Sequence, residues 1–450
     1  MAQSAFEIDL QTRNDLAIFP KYVNEHSVMA LFSKVGTIGG REKLDEIFKT
    51  PLTDAAEIEQ RVDAIKYLRD ADTGFKIDKR DCDYIEFYLK QLPKPVSISK
   101  MKAIEKKAMF FFTGDNDFCV ISRGIENTLQ LLNILYDFCS TANFDTLPKL
   151  LQSFNLTIRN TIEHADFIFI RALFGKEKLS AVEIAKADYL FRYLGYGRLK
   201  VLLDIVYQLD VFISVGASAK SNGFSFPVVN KTGEKVLKLQ GLFHPFIKEP
   251  VPNDVAFHYD KNVCFVTGAN MAGKSTFLKA VGVAVFLSQL GFPVPAAYME
   301  TSAFDGLITT INLADNIQSG NSHFYTEVSR VKHVAEKMTG SQNMLVIFDE
   351  LFRGTNVKDA FDASLAITSA FSKLRQSFFI ISTHIVEVAN ELSAIENISF
   401  RFMETVFDNG VPGYSYLLKD GITEERLGMW IVKNEGILEI IEEIIRGENW

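Results

Sequence analysis

The sequence of 450 residues predicts a multidomain α and α/β protein, in which an all-helical domain precedes a domain with a mainly parallel sheet. Before residue 220, apolar residues recur at spacings of three and four, and glycine and proline are sparse, which is typical of amphipathic helices. After residue 260, apolar strand-like runs alternate with helical ones, which is typical of parallel strands joined by crossover helices. We therefore expect a helical domain over residues 1–225 and a second domain over residues 226–450.

The helical half contains two apolar stripes that predict packed helices. Their members are Ile58, Val62, Ile65 and Leu68, and then Ile125, Leu129, Leu132 and Tyr136. Thr53 or Asp54 is placed to cap the first of these helices, over residues 55–68. The most basic short run, residues 97–107, fits a solvated helix face better than a DNA contact. Residues 220–223 read as a linker and residues 236–239 as a short strand.

Composition bounds the class of protein. Hydrophobic residues make up 47% and charged residues 23% of the chain, which excludes wholesale disorder and fibrous architectures. The four cysteines show no Cys-x-x-Cys spacing, so we expect neither a zinc site nor disulfides, in a reducing cytosol. The net charge of −8 argues against indiscriminate coating of nucleic acid but permits a local basic groove.

Targeting and membrane segments are not expected. The N-terminus lacks the basic start and apolar core of a signal peptide. The most apolar stretch, residues 201–218, carries Asp204 and Asp210 and reads as too short and too charged to span a bilayer. We expect a cytoplasmic protein with no membrane partner.

The strongest motif fits the phosphate-binding pattern G-x-x-x-x-G-K-[ST] in full. It consists of Gly268, Ala269, Asn270, Met271, Ala272, Gly273, Lys274 and Ser275. A strand at residues 263–266 precedes it, and a helix beginning at Ser275 or Thr276 follows, which is the context that phosphate binding requires. Lys274 is expected to reach the β- and γ-phosphates, and the Ser275 hydroxyl to bind Mg²⁺.

Two later strands are expected to end beside this loop. Residues 344–348 form an apolar run that ends in two carboxylates, Asp349 and Glu350. Asp349 is placed to hold Mg²⁺ through water, and Glu350 to polarise the attacking water. A third strand, residues 378–383, ends at His384, which is placed to sense the γ-phosphate.

A second anion-binding arrangement lies between these strands. Residues 315–324 contain a Ser-Gly-Asn-Ser turn that leads into a helix over residues 324–337. Because one nucleotide site does not need two phosphate cradles, we expect Gly320 and Ser322 to close over the nucleotide of a partner subunit.

These motifs together resemble the MutS mismatch-repair family, a branch of the ABC-type ATPases. The resemblance covers about residues 30–430 and rests on TGANMAGKSTFLK, GFPVPA, D-x-I-x-S-G-x-S-x-F-x-x-E, DELFRGTN and STH, in this order. In the helical half, residues 37–41, 51–54 and 58–65 resemble the start of the family's core and lever domain, and residues 207–212 resemble its end.

The resemblance implies an ATP- and Mg²⁺-dependent ATPase that acts as a homodimer on duplex or branched DNA, nucleoid-associated in the cytoplasm, with other repair proteins as further partners. It implies that Lys274 and Ser275 bind the phosphates and Mg²⁺ and that Asp349 holds the metal. It also implies that Glu350 polarises the attacking water and that His384 senses the γ-phosphate. Gly320 and Ser322 would reach across the dimer, and residues 353–356 would lie along its interface.

Several departures from the family pattern shape this expectation. The lever motif begins at Thr37, which leaves no room in this sequence for a mismatch-recognition or connector domain, so we expect a short member without autonomous mismatch recognition. Val251 stands where many family members place an aromatic residue that stacks on adenine, which leaves base selectivity open. Ala272 replaces the usual glycine of the phosphate loop and is tolerable there if its φ is negative.

Two other functions remain open from the sequence. The protein is alternatively a nucleotide-switched module that recruits partners without contacting DNA. The motor subunit of a membrane transporter shares the phosphate loop and the Ser-Gly turn, but it leaves the long helical half unexplained.

Overall fold

The computed structural model describes residues 5–22, 25–70, 78–91, 116–311, 323–340, 343–408, 411–423 and 434–446. The chain divides into two compact units. One, here called the sheet unit, comprises residues 1–28, 51–58 and 222–450, and the other, the helical unit, comprises residues 29–50 and 59–221. These units differ from the expected division at residue 225, because the first 28 residues pack with the C-terminal part of the chain.

The α-helices and the strands of the described residues are numbered separately, each in chain order. The helices are α1 Leu10–Asp15, α2 Ile38–Lys49, α3 Ala55–Asp70, α4 Lys79–Gln91, α5 Asn116–Thr141, α6 Lys149–Ile162, α7 Ile168–Arg171, α8 Ala181–Tyr189, α9 Tyr196–Asn222, α10 Lys274–Gln289, α11 His323–Met338, α12 Val357–Ser372, α13 Val386–Leu392 and α14 Ile437–Arg446. The strands are β1 Val228–Val229, β2 Val236–Leu242, β3 Asn253–His258, β4 Val263–Thr267, β5 Tyr298–Thr301, β6 Gly306–Thr310, β7 Met344–Phe348, β8 Phe378–Ser382, β9 Ile398–Asp408 and β10 Val411–Asp420.

Both predicted apolar stripes are confirmed as core positions. All four members of the α3 stripe are buried, as are Ile125, Leu129 and Leu132 of α5, while Tyr136 is half-buried. Asp54 is the residue that caps α3, because its carboxylate accepts the backbone N–H groups of Ala56 and Glu57 at 2.7 and 3.0 Å. The basic run at residues 97–107 lies outside the described residues.

Two sequence motifs of the helical unit meet in space although they are far apart in the chain. The Asp210 carboxylate accepts hydrogen bonds from the backbone N–H and the hydroxyl of Thr37, each at 2.8 Å. A Cβ at Gly39 would lie 2.4 Å from the Tyr207 ring, so only glycine fits the close approach of α2 to α9. The start and the end of the lever-like segment therefore pack directly against each other.

Helix α9 is longer than the apolar stretch seen in the sequence. It has the length and hydropathy of a membrane span, but 67% of its most apolar window is buried inside the protein, and the core helix of a soluble protein passes the same test. Its last turn includes Lys220 and Asn222, so the predicted linker is instead a helix end, closed by Gly223 at φ +66°.

The sheet unit is built on a six-stranded sheet of order β10-β9-β4-β8-β7-β6. Four of its five pairings are parallel, and β9 and β10 form an antiparallel hairpin at one edge. A second, four-stranded sheet has the order β1-β5-β2-β3. The fold is therefore mixed helix and sheet, as predicted, and its larger sheet is mainly parallel.

Candidate functional site

The phosphate-binding motif forms a loop between the buried strand β4 and helix α10. Gly268 and Gly273 have φ values of +136° and +100°, which side chains rarely tolerate. A Cβ at Gly268 would also lie 3.2 Å from the backbone nitrogen of Met403. Helix α10 begins after Gly273 with no side-chain cap, so its first N–H groups remain available to an anion.

Lys274 folds back over this loop. Its ammonium donates to the carbonyl oxygens of Gly268 and Ala269 at 2.8 and 2.9 Å. Burial lowers the pKa of Lys274, and the nearby carboxylates of Glu350 and Asp349 act in the opposite direction. The lysine is therefore held at the loop, close to both acidic side chains.

The alanine in the phosphate loop carries no backbone strain. Ala272 is buried and its φ is not positive, which is the condition under which alanine is tolerable at this position. The strained residue is its neighbour Met271, with φ +66° and a side chain that is 82% exposed.

The carboxyl ends of three adjacent parallel strands meet beside the loop. β8 lies between β4 and β7, so the predicted Asp349 and His384 both follow strands at the same edge of the sheet. Ser382, at the end of β8, donates its hydroxyl hydrogen to Asp349 at 2.5 Å and accepts the backbone N–H of Glu350 at 2.9 Å. This serine joins the two strand ends, and sequence reasoning gave it no role.

Glu350 forms an ion pair that the sequence did not predict. One carboxylate oxygen lies 2.6 Å from Nε2 of His384, and the other lies 3.2 Å from the Arg353 guanidinium. The hydrogen bond with His384, together with Arg353, lowers the pKa of Glu350 to about 2 against the effect of burial. Glu350 is therefore ionised at neutral pH, and its backbone is strained, with φ +56°.

Glu327 on α11 is a site residue whose role sequence reasoning missed. It is 5% exposed, and its two carboxylate oxygens accept the backbone N–H groups of Arg353 at 3.3 Å and Gly354 at 3.2 Å. Glu327 thus holds the loop that follows Glu350. The only signal in the sequence was its place as the last residue of the S-x-F-x-x-E pattern.

Other predicted residues have separate outcomes. Gly320 and Ser322 lie outside the described residues. Ser275 and Thr276 lie in the first turn of α10, which begins at Lys274, one or two residues earlier than predicted. Asn356, expected along a dimer interface, caps α12 by accepting the backbone N–H of Asp359 at 2.9 Å.

A cavity of about 350 Å³ adjoins the phosphate loop. Its lining includes His244, Val251, Met271, Thr276 and Tyr416. Tyr416 has φ +58° and lies where the β9–β10 register shifts. The Asn253 amide donates to the Tyr416 carbonyl at 3.0 Å and accepts the backbone N–H of Leu418 at 2.6 Å, which fixes the backbone just after the Tyr416 side chain. The Tyr416 ring on β10 therefore lines the same cavity as Val251, although the two residues are far apart in the sequence.

The fold and the site together define the class. A buried strand, a glycine-rich loop and a helix, with two acidic residues at the end of β7 and a histidine just after the neighbouring β8, form the arrangement of an ATPase domain. Residues 264–446 match the family model of MutS domain V, which is an ATPase domain.

Curated relatives agree with this match. DNA mismatch repair protein MutS of Petrotoga mobilis is 28% identical over 293 residues, which are 64% of this chain and 36% of that protein. The MutS of Fervidobacterium nodosum is 29% identical over 282 residues, 61% of this chain and 33% of that protein. DNA mismatch repair protein MutS 2 of Halobacterium salinarum is 26% identical over 324 residues, 68% of this chain and 36% of that protein.

These findings support a MutS-family member, because residues 264–446 match MutS domain V and about two thirds of the chain is similar to MutS and MutS 2 proteins. The chain spans about a third of the length of the curated relatives that it matches.

Proposed function

We propose that this protein is a MutS-type ATPase that binds ATP at residues 268–276, hydrolyses it with Mg²⁺, and acts as a dimer on duplex or branched DNA. The observation that carries the proposal is the convergence of the phosphate loop, Asp349, Glu350 and His384 at one edge of the six-stranded sheet. Under this proposal the protein works in the cytoplasm, associated with the nucleoid, in mismatch repair or related DNA maintenance.

The residues present fit a magnesium ion by the chemistry of their oxygens. Mg²⁺ prefers hard oxygen ligands and retains several waters, so one hydroxyl and one carboxylate suffice. Ser275 and Asp349 are those groups in the proposal, and Ser382 keeps the Asp349 carboxylate in one orientation. When bound, the ion supplies charge neutralisation to the phosphates.

Lys274 and the α10 N-terminus bind the phosphates in the proposed site. The ammonium exchanges its bonds to the Gly268 and Ala269 carbonyls for bonds to phosphate oxygens. The neighbouring N–H groups add donors at the positive end of the helix dipole.

Glu350 and His384 restrain each other before the reaction. With a pKa of about 2, the Glu350 carboxylate is a weak base while His384 is bonded to it. A γ-phosphate that draws His384 away removes the first cause of this low pKa, so the carboxylate becomes a better proton acceptor for the attacking water. The pair thereby links water activation to the presence of ATP.

The cavity beside the loop is the proposed base site. Tyr416 supplies an aromatic face there, which compensates for Val251 at the position where many family members carry an aromatic residue. A stacking ring favours a purine without selecting adenine by hydrogen bonds, so we expect modest discrimination between ATP and GTP.

Dimerisation is supported by the apolar face of α14. Its exposed apolar side chains are Ile437, Leu438, Ile440, Ile441, Ile444 and Ile445, which are 43–78% exposed. A face of this kind normally packs against another surface, and we propose a second copy of this chain. In that dimer Gly320 and Ser322 close over the partner's nucleotide.

A mixing experiment tests the composite sites. Ser322→Ala subunits mixed with Lys274→Ala subunits retain at most one intact site per heterodimer, so turnover recovers only partly. A monomer that hydrolyses ATP as fast as a dimer contradicts the scheme. Sedimentation in the same buffers gives the oligomeric state.

The DNA partner is tested by binding at two salt concentrations with ADP and with a slowly hydrolysed ATP analogue. Matched, mismatched and four-way-junction duplexes are compared, and log affinity should fall linearly with log salt. Equal duplex binding or a junction preference supports contacts to backbone and shape. A mismatch preference contradicts the absence of autonomous recognition, and no binding in any state favours the nucleotide-switched recruiting module.

A further inference from the structure

The N-terminal segment, residues 5–18, completes the edge of the six-stranded sheet. Among the described residues, β6 is the last strand at that edge, so its outward N–H groups are not bonded to another strand of the sheet. They donate instead to this segment at 2.9 Å each, Leu307 to the Glu7 carbonyl, Thr309 to the Thr12 hydroxyl and Ile311 to the Asp15 carboxylate. The segment therefore supplies an acceptor at every second residue, in place of a seventh strand.

Arg330 ties this segment to the helix that follows. Its guanidinium donates to the Asp9 carboxylate, to the Thr309 carbonyl at 2.6 Å and to the Thr310 hydroxyl at 3.1 Å. Although burial acts to raise it, the pKa of Asp9 is lowered by the bonds from Arg330 and Thr12. The three acceptors use the planar fork of the guanidinium, which lysine cannot reproduce.

The residues that Arg330 holds lie directly behind the candidate catalytic carboxylates. The backbone N–H of Asp349 donates to the Thr310 carbonyl at 2.9 Å, and Thr310 is the residue whose hydroxyl accepts from Arg330. Glu327, one turn before Arg330 on α11, holds Arg353 and Gly354 on the other side of Glu350. The loop of the two carboxylates is thus fixed at both ends by residues connected to Arg330.

We propose that Arg330, anchored by Asp9 of the N-terminal segment, is a positioning residue that sets the geometry of Asp349 and Glu350 for ATP hydrolysis. This inference rests on the proposed ATPase activity. It gives the N-terminal segment a part in turnover, although this segment lies at the edge strand β6 and not in the phosphate loop.

Arg330→Lys tests the proposal, because lysine keeps a positive charge for Asp9 but loses the fork to Thr309 and Thr310. We expect kcat to fall about tenfold with KM for ATP changed less than about twofold, since a residue behind a catalytic group affects chemistry more than binding. Amide hydrogen exchange over residues 344–353 should accelerate, because the Asp349 N–H bond to Thr310 is loosened.

Lys337→Ala is the matched control. Lys337 also joins α11 to the N-terminal segment, but its ammonium pairs with the Glu7 carboxylate at 2.9 Å rather than with the described residues of β6. This variant should keep kcat and the exchange rate of residues 344–353, so a loss as large as that of Arg330→Lys overturns the proposal in favour of simple docking.

A second substitution covers the case in which Arg330→Lys fails to fold. Asp9→Asn keeps a side chain that can cap α1 but removes the charge that anchors Arg330. It should reproduce the fall in kcat. Unchanged kcat in a folded Arg330 or Asp9 variant overturns the positioning role.

The exchange measurement separates this inference from the proposed function. If the wild-type protein does not hydrolyse ATP, the proposed function fails, while exchange over residues 344–353 still reports whether Arg330 fixes the carboxylate loop. Unchanged exchange in Arg330→Lys then overturns the inference by itself.

Discussion

The two compact units use buried polar groups in different ways. In the helical unit they close on one another: Asp188 and Arg192 form a buried ion pair at 2.5 Å, and the Tyr88 hydroxyl donates to Asp188 at 2.8 Å. In the sheet unit, charged side chains gather at strand ends beside a loop whose donors face outward. The first arrangement is complete within the chain, and the second has places for a ligand.

Backbone strain follows the same division. Among the described residues, non-glycine residues with positive φ all belong to the sheet unit: Ala17, Met271, Glu350, Phe352 and Tyr416. Four of these lie in or beside the candidate site. Because such conformations cost about 1–3 kcal/mol each, they persist where the surrounding structure imposes them, commonly at functional sites. The difference teaches that strained backbone in this protein gathers at the candidate site, whereas the helical unit has no such residue among those described.

Lys274→Ala should have the largest effect, and this effect should be a loss of ATP binding in the sheet unit. Removing a buried ammonium from the proposed phosphate site should weaken ATP binding about 10³-fold, equivalent to about 4 kcal/mol. Equilibrium binding of a fluorescent ATP analogue measures it. Lys332→Ala, at an exposed position of α11, is the control and should bind normally. Binding within tenfold of wild type for Lys274→Ala contradicts the proposed phosphate site.

Asp188→Ala should destabilise the helical unit by removing the carboxylate of its buried ion pair. It leaves Arg192 buried without its carboxylate, which should lower the free energy of unfolding by about 3 kcal/mol. Urea unfolding followed by circular dichroism gives this number. Lys90→Ala removes only the exposed ion pair with Glu86 and should cost less than about 1 kcal/mol. Equal losses in the two variants would show that the buried network contributes no special stability.

Glu350→Gln should separate binding from turnover within the sheet unit. The amide keeps the size of the side chain but cannot accept the proton of water, so kcat should fall about 10²-fold, or about 2.7 kcal/mol, with ATP still bound. Single-turnover hydrolysis and analogue binding measure the two steps. Full activity in Glu350→Gln would remove the water-polarising role.

His244 should give the smallest effect, a pH dependence confined to the sheet unit. Burial, with Lys279 nearby, lowers the pKa of His244 to about 4, so between about pH 6.5 and 4 the unfolded chain binds a proton that the folded protein does not. The free energy of unfolding should therefore fall as the pH drops through this window, by about 1 kcal/mol after allowing for partial exposure. His244→Gln should flatten this part of the pH curve. A curve unchanged by His244→Gln contradicts the assignment.

The local features of the site were predictable from the sequence. The phosphate loop and the strands that end at Asp349 and His384 are short patterns whose geometry follows from neighbouring residues, and the structure has these elements within one or two residues of the predicted bounds. The apolar stripes of α3 and α5 were predictable for the same reason, because periodicity is a local signal.

Contacts between distant residues were not predictable in this way. Thr12 and Asp15 satisfy β6 through side-chain oxygens, which leave no periodic trace in the sequence. The ion pair of Glu350 with His384 and the hydrogen bond from the Gly354 N–H to Glu327 depend on how separate strands and helices assemble. Each residue type was visible, but its partner was set by tertiary packing.

The completed edge of the larger sheet also sets an order of events during synthesis. Thr12 and Thr309 are 297 positions apart, so the N-terminal segment leaves the ribosome long before β6 exists. At roughly 5–20 residues per second, the delay is about 15–60 s. During this interval the helical unit, whose residues lie between the two, can be synthesised in full. The N-terminal segment can bond to β6 only when the last third of the chain has been synthesised.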